Sequence, residues 1–239
     1  MRLPFDVADF FAVFARYNEA VWPAQIVLSA LALGAVGLAL RSRLWSDRAV
    51  GGVLGLLWVW MGVAYHWTFF RAINPAATVF AGLFVLEGIV LLAWGAVLHE
   101  LRFRTSLTVR DLVGALLLVF ALAVYPLLGH AAGHRYPAIP TFGLPCPTTI
   151  FTLGLLLWAE PPVPRLLLLI PLAWSAIGAS AAVQLGVWED LGLVVAGVHT
   201  GLLTLAPFGG KHHGRGATVM GGPDHSDDRR ALAEGLPPE

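Results

Sequence analysis

Charged residues are scarce in this 239-residue chain, where 15 Lys and Arg and 15 Asp and Glu make up only 13% of the residues. Soluble domains carry about 25% charged residues. This shortage, together with 57% hydrophobic residues, excludes a soluble globular enzyme and a disordered chain. The formal net charge is zero, so the chain has no basic field that would bind nucleic acid. A protein immersed in a lipid bilayer is the class that remains.

Cysteine and the signature motifs of nucleotide and hydrolase sites are also lacking. Cys146 is the only cysteine, which excludes an internal disulfide framework and a metal site made of thiolates alone. Neither the phosphate-binding loop G-x-x-x-x-G-K-S/T nor the nucleophile elbow G-x-S-x-G occurs. The sequence therefore excludes ATP-driven transport by this chain alone.

Long apolar stretches are what the sequence has in abundance. Seven of them run for at least about 18 residues with at most one charged side chain, which is the length that a helix needs to cross a hydrocarbon core. They are residues 21–40, 49–70, 75–98, 112–129, 142–159, 166–187 and 191–208. Because lipid offers no partner to backbone N–H and C=O groups, each stretch is predicted to be a helix. The predicted fold class is all-α, a polytopic membrane bundle of seven transmembrane helices.

The fifth stretch is less regular than the others, because Pro145 and Pro147 flank Cys146 near its start. Each proline removes a helix hydrogen bond. This segment is therefore predicted either to span the membrane with a kink or to be partly re-entrant. A helix limited to residues 148–159 would be too short to cross alone. The Pro-rich part before it would then need shelter inside the protein.

Positively charged side chains are distributed unevenly between the two sides of such a bundle. The loops after the first, third and fifth stretches, together with the C-terminal tail, hold most of the 15 Lys and Arg residues. Because cytoplasmic loops accumulate Lys and Arg, the N-terminus is predicted outside and the C-terminus in the cytoplasm.

The two ends of the chain are predicted to differ from the bundle between them. The first 20 residues carry several aromatic side chains but no continuous apolar run, which favours a short interfacial helix over a cleaved signal peptide. An extension of the first transmembrane helix is the alternative. From residue 209 the sequence has no hydrophobic periodicity. We therefore predict a transmembrane domain over residues 1–208 and a disordered cytoplasmic tail over residues 209–239.

Most polar residues that are unusual for a membrane bundle fall at its outer side in this topology. They occupy the outer ends of the predicted helices and the connecting segments, which are rich in proline and histidine. The candidate binding residues of this outer cluster are Asn18, Gln25, His66, Asn74, His130, His134, Cys146, Glu189 and Asp190. An ordinary interfacial belt of polar and aromatic side chains is the alternative interpretation.

Glu87 lies near the middle of the third stretch, where an ionised carboxylate costs on the order of 3 kcal/mol or more unless it is paired or protonated. Its candidate partners are His199 in the seventh stretch, Ser175 and Ser180 in the sixth, or a bound cation. We interpret Glu87 and His199 as a buried relay for a proton or a cation. A protonated Glu87 that makes only one interhelical hydrogen bond is the alternative.

Four of these residues also suggest a metal site. His130 and His134 are four residues apart, so both would lie on one face of a helix, and His66 and Cys146 are predicted at the same side of the membrane. Together they would offer a His and Cys ligand set for zinc or copper. The alternative is that the cysteine between prolines only shapes a kink. No other cofactor is predicted.

Four segments of the sequence resemble one known family. They are YNEAVWPAQ at 17–25, WMGVAYHWTFFRAINPAA at 60–77, YPLLGHAAGHRYPAIPTFGLPCPTTIFTLGLLL at 125–157 and QLGVWEDLGLVVAG at 184–197. Together they look like a family of uncharacterised bacterial integral membrane proteins, catalogued as a domain of unknown function. The resemblance covers about residues 5–207. It implies a multi-pass protein of the bacterial inner membrane, and it implies no activity, substrate or catalytic residue.

Three functions fit these features. A small solute or ion carrier would bind its solute at the outer cluster and use Glu87 as a relay near the midplane. A non-catalytic partner or sensor subunit would bind another membrane protein, or a second copy of itself, through its outer loops. A metal-dependent intramembrane hydrolase would activate water on zinc. Zinc hydrolases of the ceramidase-like superfamily are similar in span count, but their H-x-x-x-H pair lies in the last helix, where this chain has only His199. The sequence favours the carrier.

Overall fold

Helices and connecting loops make up the part of the chain that the computed structural model describes, residues 4–41 and 43–205. No β-strand occurs within these ranges, and the predicted all-α class is confirmed. The α-helices are α1 (Val7–Ala20), α2 (Ala24–Ala39), α3 (Leu44–Trp60), α4 (Ala77–Leu91), α5 (Val109–Val119), α6 (Tyr125–Ala131), α7 (Pro145–Leu157), α8 (Leu166–Leu185) and α9 (Gly192–Leu205). The predicted tail, 209–239, lies outside the described residues, as does the end of the seventh stretch.

Four helical segments are long and apolar enough to cross a membrane: Leu44–Ala72, Ala77–Val97, Val109–Ala131 and Leu166–Leu185. The first three are longer than α3, α4 and α5 because each helix continues through a π-helical stretch, at Met61–Trp67, Leu92–Val97 and Phe120–Val124 respectively. Helices α1 and α2 together form a fifth candidate span, which is bent by 86°. The described residues thus give four or five spans by length and composition, and the crossing number of seven stays a prediction.

The outer surface of these helices is apolar. On α5, for example, Leu112, Leu116 and Val119 each expose more than half of their surface. These positions are three and four residues apart and therefore share one face of the helix. A continuous apolar face of this kind is one that lipid covers in a membrane protein, whereas soluble proteins keep such patches small.

Helix α1 is separate from the helix that follows it. It begins with a capping box, in which the Asp6 side chain accepts a hydrogen bond from the backbone N–H of Asp9 and the Asp9 side chain accepts one from Asp6. It ends at Ala20, and the chain then turns by 86° into α2. Phe10, Phe14 and other residues of one face are buried against the bundle. The membrane-surface location of this helix stays a prediction.

Helix α7 lies at the centre of the bundle. All of its residues except Cys146 are buried. Its prolines do not kink it, because Pro145 occupies the first helical position and Pro147 the first turn, where backbone N–H groups have no partner inside the helix anyway. The 13 residues of α7 measure about 20 Å, which is less than the roughly 30 Å hydrocarbon core.

Helices α3 and α4 approach each other through glycines. A Cβ atom at Gly51 would lie 2.6 Å from the Cα of Gly95, and one at Gly55 would lie 2.8 Å from the carbonyl oxygen of Gly88. No side chain fits at these contacts, so the two backbones meet directly, as small residues allow in membrane bundles.

One end of the bundle is held together by a buried carboxylate. Asp47, at the start of α3, accepts hydrogen bonds from the backbone N–H of Phe103 and from Arg104, at 3.1 Å each. The backbone N–H of Arg104 in turn donates to the carbonyl oxygen of Trp158, at 2.8 Å. These contacts join the start of α3 to the loops before α5 and after α7. They lie at the end that the sequence analysis assigns to the cytoplasm.

Candidate functional site

A cavity of about 310 Å³ lies at the opposite end of the bundle. Its walls come from the residues before α1, from α1 itself, from the segment after α3, from the start of α7 and from α8. We call it the aromatic cavity, because eight aromatic residues line it. They are Phe5, Phe10, Phe14, Tyr65, Phe70, Phe80, Tyr125 and Trp174.

The mouth of the aromatic cavity is marked by lining residues that are also exposed. Ala76 before α4 and Ile177 and Ser180 on α8 are exposed. Asn74, which also lines the cavity, is half-buried, and its side chain accepts a hydrogen bond from the backbone N–H of Ala76 at 3.1 Å. Since Ile177 belongs to the exposed apolar face of α8, the mouth extends towards the surface that lipid would cover.

Asp190 forms the polar end of the cavity. Helix α8 ends because Gly186 adopts the left-handed conformation, at a φ of 71°, and a short 3-10 turn, Trp188–Leu191, then directs the Asp190 side chain inwards. The hydroxyl of Tyr125 donates a short hydrogen bond to its carboxylate, and the thiol of Cys146 lies within hydrogen-bonding reach of it. Asp190 is 4% exposed.

Burial raises the pKa of Asp190 to about 7, since the charged form loses its hydration there. The hydrogen bonds from Tyr125 and Cys146 oppose this shift, whereas the neighbouring charge of Glu189 adds to it. A carboxyl group with such a pKa changes its charge near neutral pH, and strongly shifted pKa values of this kind cluster at functional sites.

His66 lies against the wall of the aromatic cavity, enclosed by other rings. Its ring centroid is 4.5 Å from that of Phe84, 5.2 Å from that of Trp174 and 5.7 Å from that of Phe80. The residue is fully buried, and neither ring nitrogen has a hydrogen-bond partner among the described residues. The predicted outer-cluster histidine is therefore part of an aromatic box beside the cavity.

Glu87 lies one helical turn beyond this box. Phe80, Phe84 and Glu87 are four and three residues apart and therefore share one face of α4. Along this face, Phe80 lines the cavity and Glu87 lies furthest from it. Glu87 is fully buried, and both carboxylate oxygens lack a hydrogen-bond partner within residues 4–41 and 43–205. Unpartnered buried carboxylates are rare, and they mark functional positions in membrane proteins.

The expected partners of Glu87 do not form hydrogen bonds with it among the described residues. His199 is exposed, and its Nδ1 atom lies 2.8 Å from the carbonyl oxygen of Val195 in its own helix. Ser175 and Ser180 likewise donate to carbonyl oxygens of α8. The described hydrogen bonds therefore do not link Glu87 to His199, and the relay pair stays a prediction. Hydropathy placed both residues at a similar depth but could not show that His199 faces outwards.

Asn18 and Gln25 serve to connect segments. The amide nitrogen of Asn18 donates to the carbonyl oxygens of Pro137 and Ile139, at 2.6 and 2.8 Å, and its amide oxygen accepts from Thr141 at 2.7 Å. Gln25 donates to the backbone oxygen of Asn18 at 2.8 Å. The side chain of Asn18 is thus fully used in holding the Pro-rich segment before α7 against α1, and it is not free to bind a ligand.

His134 and Glu189 form a second connection. The Nδ1 atom of His134 lies 3.0 Å from the Glu189 carboxylate, and the imidazole packs on the ring of Phe11 in α1, with centroids 4.5 Å apart. Glu189 is 2% exposed and its second carboxylate oxygen has no partner in the described part of the chain. His130 is exposed and does not take part.

The predicted metal ligands do not converge. His130 is exposed, His134 is bonded to Glu189, His66 is enclosed by rings, and Cys146 lies beside Asp190. In the described ranges, no three His, Cys, Asp or Glu side chains are grouped closely enough to hold a metal ion. The described residues therefore do not bring His66, His130, His134 and Cys146 together, and binding of zinc or copper by this set stays a prediction. The helical spacing of the two histidines failed as a guide because α6 ends at Ala131, between them.

Tyr125 and Trp174 are two polar aromatic residues of the cavity that were not among the predicted site residues. Each lies inside an apolar stretch, where an aromatic residue is expected to contact lipid or other helices. The hydroxyl of Tyr125 donates its hydrogen bond to Asp190, which is 65 residues away in sequence. The indole N–H of Trp174 and the thiol of Cys146 both lie beside Gly178, and this N–H has no geometric hydrogen-bond partner in the described part of the chain. The only available signal was a hydroxyl and an indole N–H in stretches that otherwise lack polar groups.

Comparisons with known proteins place this chain in a family. A family model described as "Family of unknown function (DUF6064)" matches residues 7–208, and the chain belongs to this family. No match was found among curated proteins or among solved structures.

Proposed function

For this member of a family of unknown function, we propose that the protein is a small-solute carrier of the bacterial inner membrane. The observation that carries the proposal is the aromatic cavity, which extends from an exposed mouth near Ile177 to the buried carboxylate of Asp190. Ligand sites of this kind are concave and mostly apolar, with a few polar groups that orient the ligand. We assign the solute to this cavity.

A seven-helix topology with the N-terminus outside completes the proposal. Its support is the grouping of loops. The contacts of Asp47 join loops that belong to the cytoplasmic side in this topology. The contacts of Asn18 and Glu189 join loops that belong to the outer side. Together with the excess of Lys and Arg on the first side, this favours a mouth that faces away from the cytoplasm.

Helix α7 fits this topology as a short, enclosed crossing. Its own length is insufficient for the hydrocarbon core, but the Pro-rich segment before it is bonded to Asn18 rather than exposed. Non-helical backbone is tolerated at membrane depth where protein shelters it. Broken helices of this kind form the solute sites of many carriers, and the start of α7 does line the aromatic cavity.

Glu87 has the role of a proton relay in this proposal. Glu87 lies on the same face of α4 as Phe80, which lines the cavity, but further from the cavity than Phe80. Among the described residues, Glu87 has no partner that would hold its carboxyl group ionised. A carboxyl group in this position releases and takes up protons as the solute site empties and fills. His66 lies beside Phe84 on the same path.

Uptake into proteoliposomes tests the carrier function. The purified protein is reconstituted, and uptake is measured for labelled phenyltrimethylammonium, benzenesulfonate and phenylalanine, which cross lipid slowly by themselves. We expect protein-dependent uptake of at least one of them. Ala181→Phe, which fills the cavity from α8, should abolish this uptake, whereas Ala176→Phe on the exposed face of the same helix should not. Uptake equal to that of empty liposomes for all three solutes would contradict the proposal.

The relay is tested separately with Glu87→Gln, which keeps the shape of the side chain and removes its proton. With a pH-sensitive dye inside the liposomes, wild-type protein should move protons during uptake and the variant should not. Glu19→Gln, which makes the same substitution at an exposed carboxylate outside the cavity lining, is the matched control. Proton movement that is unchanged in Glu87→Gln would remove the relay from the mechanism.

A further inference from the structure

The wall of the aromatic cavity indicates which class of solute it takes, an inference that rests on the carrier function proposed above. We propose that the solute is a small organic cation whose charged group lies between the carboxylate of Asp190 and the aromatic rings. Three properties of the wall support this assignment: its charge, its rings and its shortage of oxygen ligands.

The charge of the wall has one sign. Asp190 is the single acidic residue among the described residues that line the cavity, and these residues include no Lys, Arg or His. An anionic solute would therefore meet a carboxylate in a buried site with no cation to compensate it, which is strongly unfavourable. A cationic solute would supply the charge partner that Asp190 lacks.

The aromatic rings stabilise a cation in the same place. Tyr65 and Phe70 stack with their ring centroids 5.5 Å apart, and Phe10 and Phe14 pack edge to face at 4.5 Å, and all four rings line the cavity. The face of an aromatic ring carries negative charge density and attracts cations, and cages of several rings bind quaternary ammonium groups. Trp174, which provides a strong ring for such contacts, completes the wall near the thiol of Cys146.

An inorganic cation fits this wall poorly. Ca²⁺ takes six to eight oxygen ligands, and Mg²⁺ demands an octahedral set of oxygens. The described lining offers the carboxylate of Asp190, a few hydroxyls and one amide, with apolar side chains elsewhere. A volume of about 310 Å³ suits instead an organic molecule with an apolar body, since apolar surface then replaces water throughout the cavity.

The titratable neighbours of Asp190 give this binding a pH dependence. They are Tyr125 from α6, Cys146 from α7, Glu189 from the same turn, and Tyr65 from the segment after α3; none of these is a cation. Because the pKa of Asp190 is raised to about 7, this carboxyl group is partly protonated at neutral pH. A bound cation favours the ionised form, so binding releases a proton and the affinity rises with pH through this range. Binding of the solute then displaces the proton of Asp190, whereas Glu87 keeps its separate role as the relay beyond the cavity.

Binding of three probes with similar shapes tests the assignment. Phenyltrimethylammonium is cationic, 2-phenyl-2-propanol is neutral and benzenesulfonate is anionic. Their binding to the full-length protein in nanodiscs is measured by calorimetry and by the fluorescence of the tryptophans. We expect phenyltrimethylammonium to bind at least about tenfold more tightly than the other two, which is about 1.4 kcal/mol. Its affinity should rise between about pH 6 and pH 8.

Two variants test the roles of the carboxylate and of the rings. Asp190→Asn should remove the preference for the cation and its pH dependence, while the neutral probe still binds. Phe70→Leu keeps the apolar volume and removes one ring, so it should weaken binding of the cation about threefold or more and leave the neutral probe unchanged. The second variant decides the question if the first one fails to fold.

The outcomes separate this inference from the carrier function. Equal or tighter binding of benzenesulfonate or of the alcohol, or a cation preference that persists in Asp190→Asn, would overturn the organic-cation assignment. Protein-dependent uptake of benzenesulfonate or phenylalanine would still support a carrier in that case. Conversely, selective binding of phenyltrimethylammonium without uptake of any solute would support the assignment of the site and contradict transport.

Discussion

Replacing Asn18 by alanine should destabilise the outer end of the bundle strongly. Asn18 is fully buried, and its side chain donates to the carbonyl oxygens of Pro137 and Ile139 and accepts from Thr141 and Gln25. A hydrogen bond contributes about 0.5–1.5 kcal/mol, and leaving a buried partner unsatisfied costs about 1–3 kcal/mol. With one of the four bonds at 3.3 Å and the released groups only part-buried, we expect Asn18→Ala to lower the free energy of unfolding by about 2–4 kcal/mol.

The free energy of unfolding can be measured by SDS titration in mixed micelles, followed by tryptophan fluorescence. Gln184→Ala is the matched control, because this amide also donates to a carbonyl oxygen, at 3.0 Å, but is exposed; its effect should stay within about 0.5 kcal/mol. Asn18→Asp should be at least as destabilising as Asn18→Ala, since a carboxylate offers no donor to the two carbonyl oxygens.

A double-mutant cycle with Thr141→Val isolates one bond of this network. Because Thr141 donates directly to Asn18 at 2.7 Å, the two substitutions should be less destabilising together than the sum of their separate effects, by about 0.5–1.5 kcal/mol. An effect of Asn18→Ala below about 0.5 kcal/mol, or full additivity with Thr141→Val, would refute the view that this side chain holds the Pro-rich segment.

Three further predictions concern other parts of the molecule. Gly55→Leu should prevent folding, as judged by the yield of monodisperse protein, because its Cβ would lie 2.8 Å from a carbonyl oxygen of α4; Gly52→Leu, whose Cβ has nothing within 4 Å, should be tolerated. Asp47→Ala should cost about 2–3 kcal/mol in SDS titration, since it leaves the buried N–H of Phe103 and the part-buried Arg104 without their acceptor, whereas Glu160→Gln at the exposed 4.0 Å ion pair should cost less than about 1 kcal/mol. Finally, because burial raises the pKa of Asp190 to about 7, its protonated form stabilises the fold at low pH, and this contribution is lost as the pH rises through about 7. Thermal unfolding of Asp190→Asn should therefore depend less on pH than that of the wild type, and an equal dependence would contradict the assigned pKa.

The helices were predictable because hydropathy and lipid solvation act on each segment separately. The stretch predicted at 166–187 corresponds to α8, Leu166–Leu185, and the one at 142–159 contains α7, Pro145–Leu157. The aromatic spacing before the first stretch also predicted a short helix, and α1 is present. What such local arguments left open was the bend between α1 and α2, which depends on packing against the rest of the bundle.

The sequence predicted which side of the bundle holds the site, but not which side chains line the cavity. Asn74, Cys146 and Asp190 were assigned to one outer cluster from topology, and all three line the aromatic cavity. The same argument grouped Asn18 with them, although its side chain is used entirely in hydrogen bonds to a segment more than 100 residues away. A sequence shows which polar groups must find partners, but it does not show whether the partner is a backbone oxygen or a ligand.

The absence of a hydrogen bond between Glu87 and His199 among the described residues has a related reason. Depth in the membrane follows from position along a helix, whereas facing direction depends on which neighbours the helix packs against. In α9, Leu193, Ala196 and Thr200 form the buried face, and His199 falls outside it. The 3.6-residue period of α9 was present in the sequence, but nearly every position is apolar, so the pattern did not identify the buried side.

The turn between α8 and α9 connects the part of the cavity wall formed by α1 to the polar end of the cavity. Glu189 and Asp190 are consecutive, and in a 3-10 turn consecutive side chains point about 120° apart. Glu189 is therefore able to bind His134, which packs on Phe11 of α1, while Asp190 bonds Tyr125 at the cavity. Because α1 supplies part of the cavity wall, this one turn carries two carboxylates with different roles. Glu189 bonds His134, which packs against α1, and Asp190 binds the solute in our proposal.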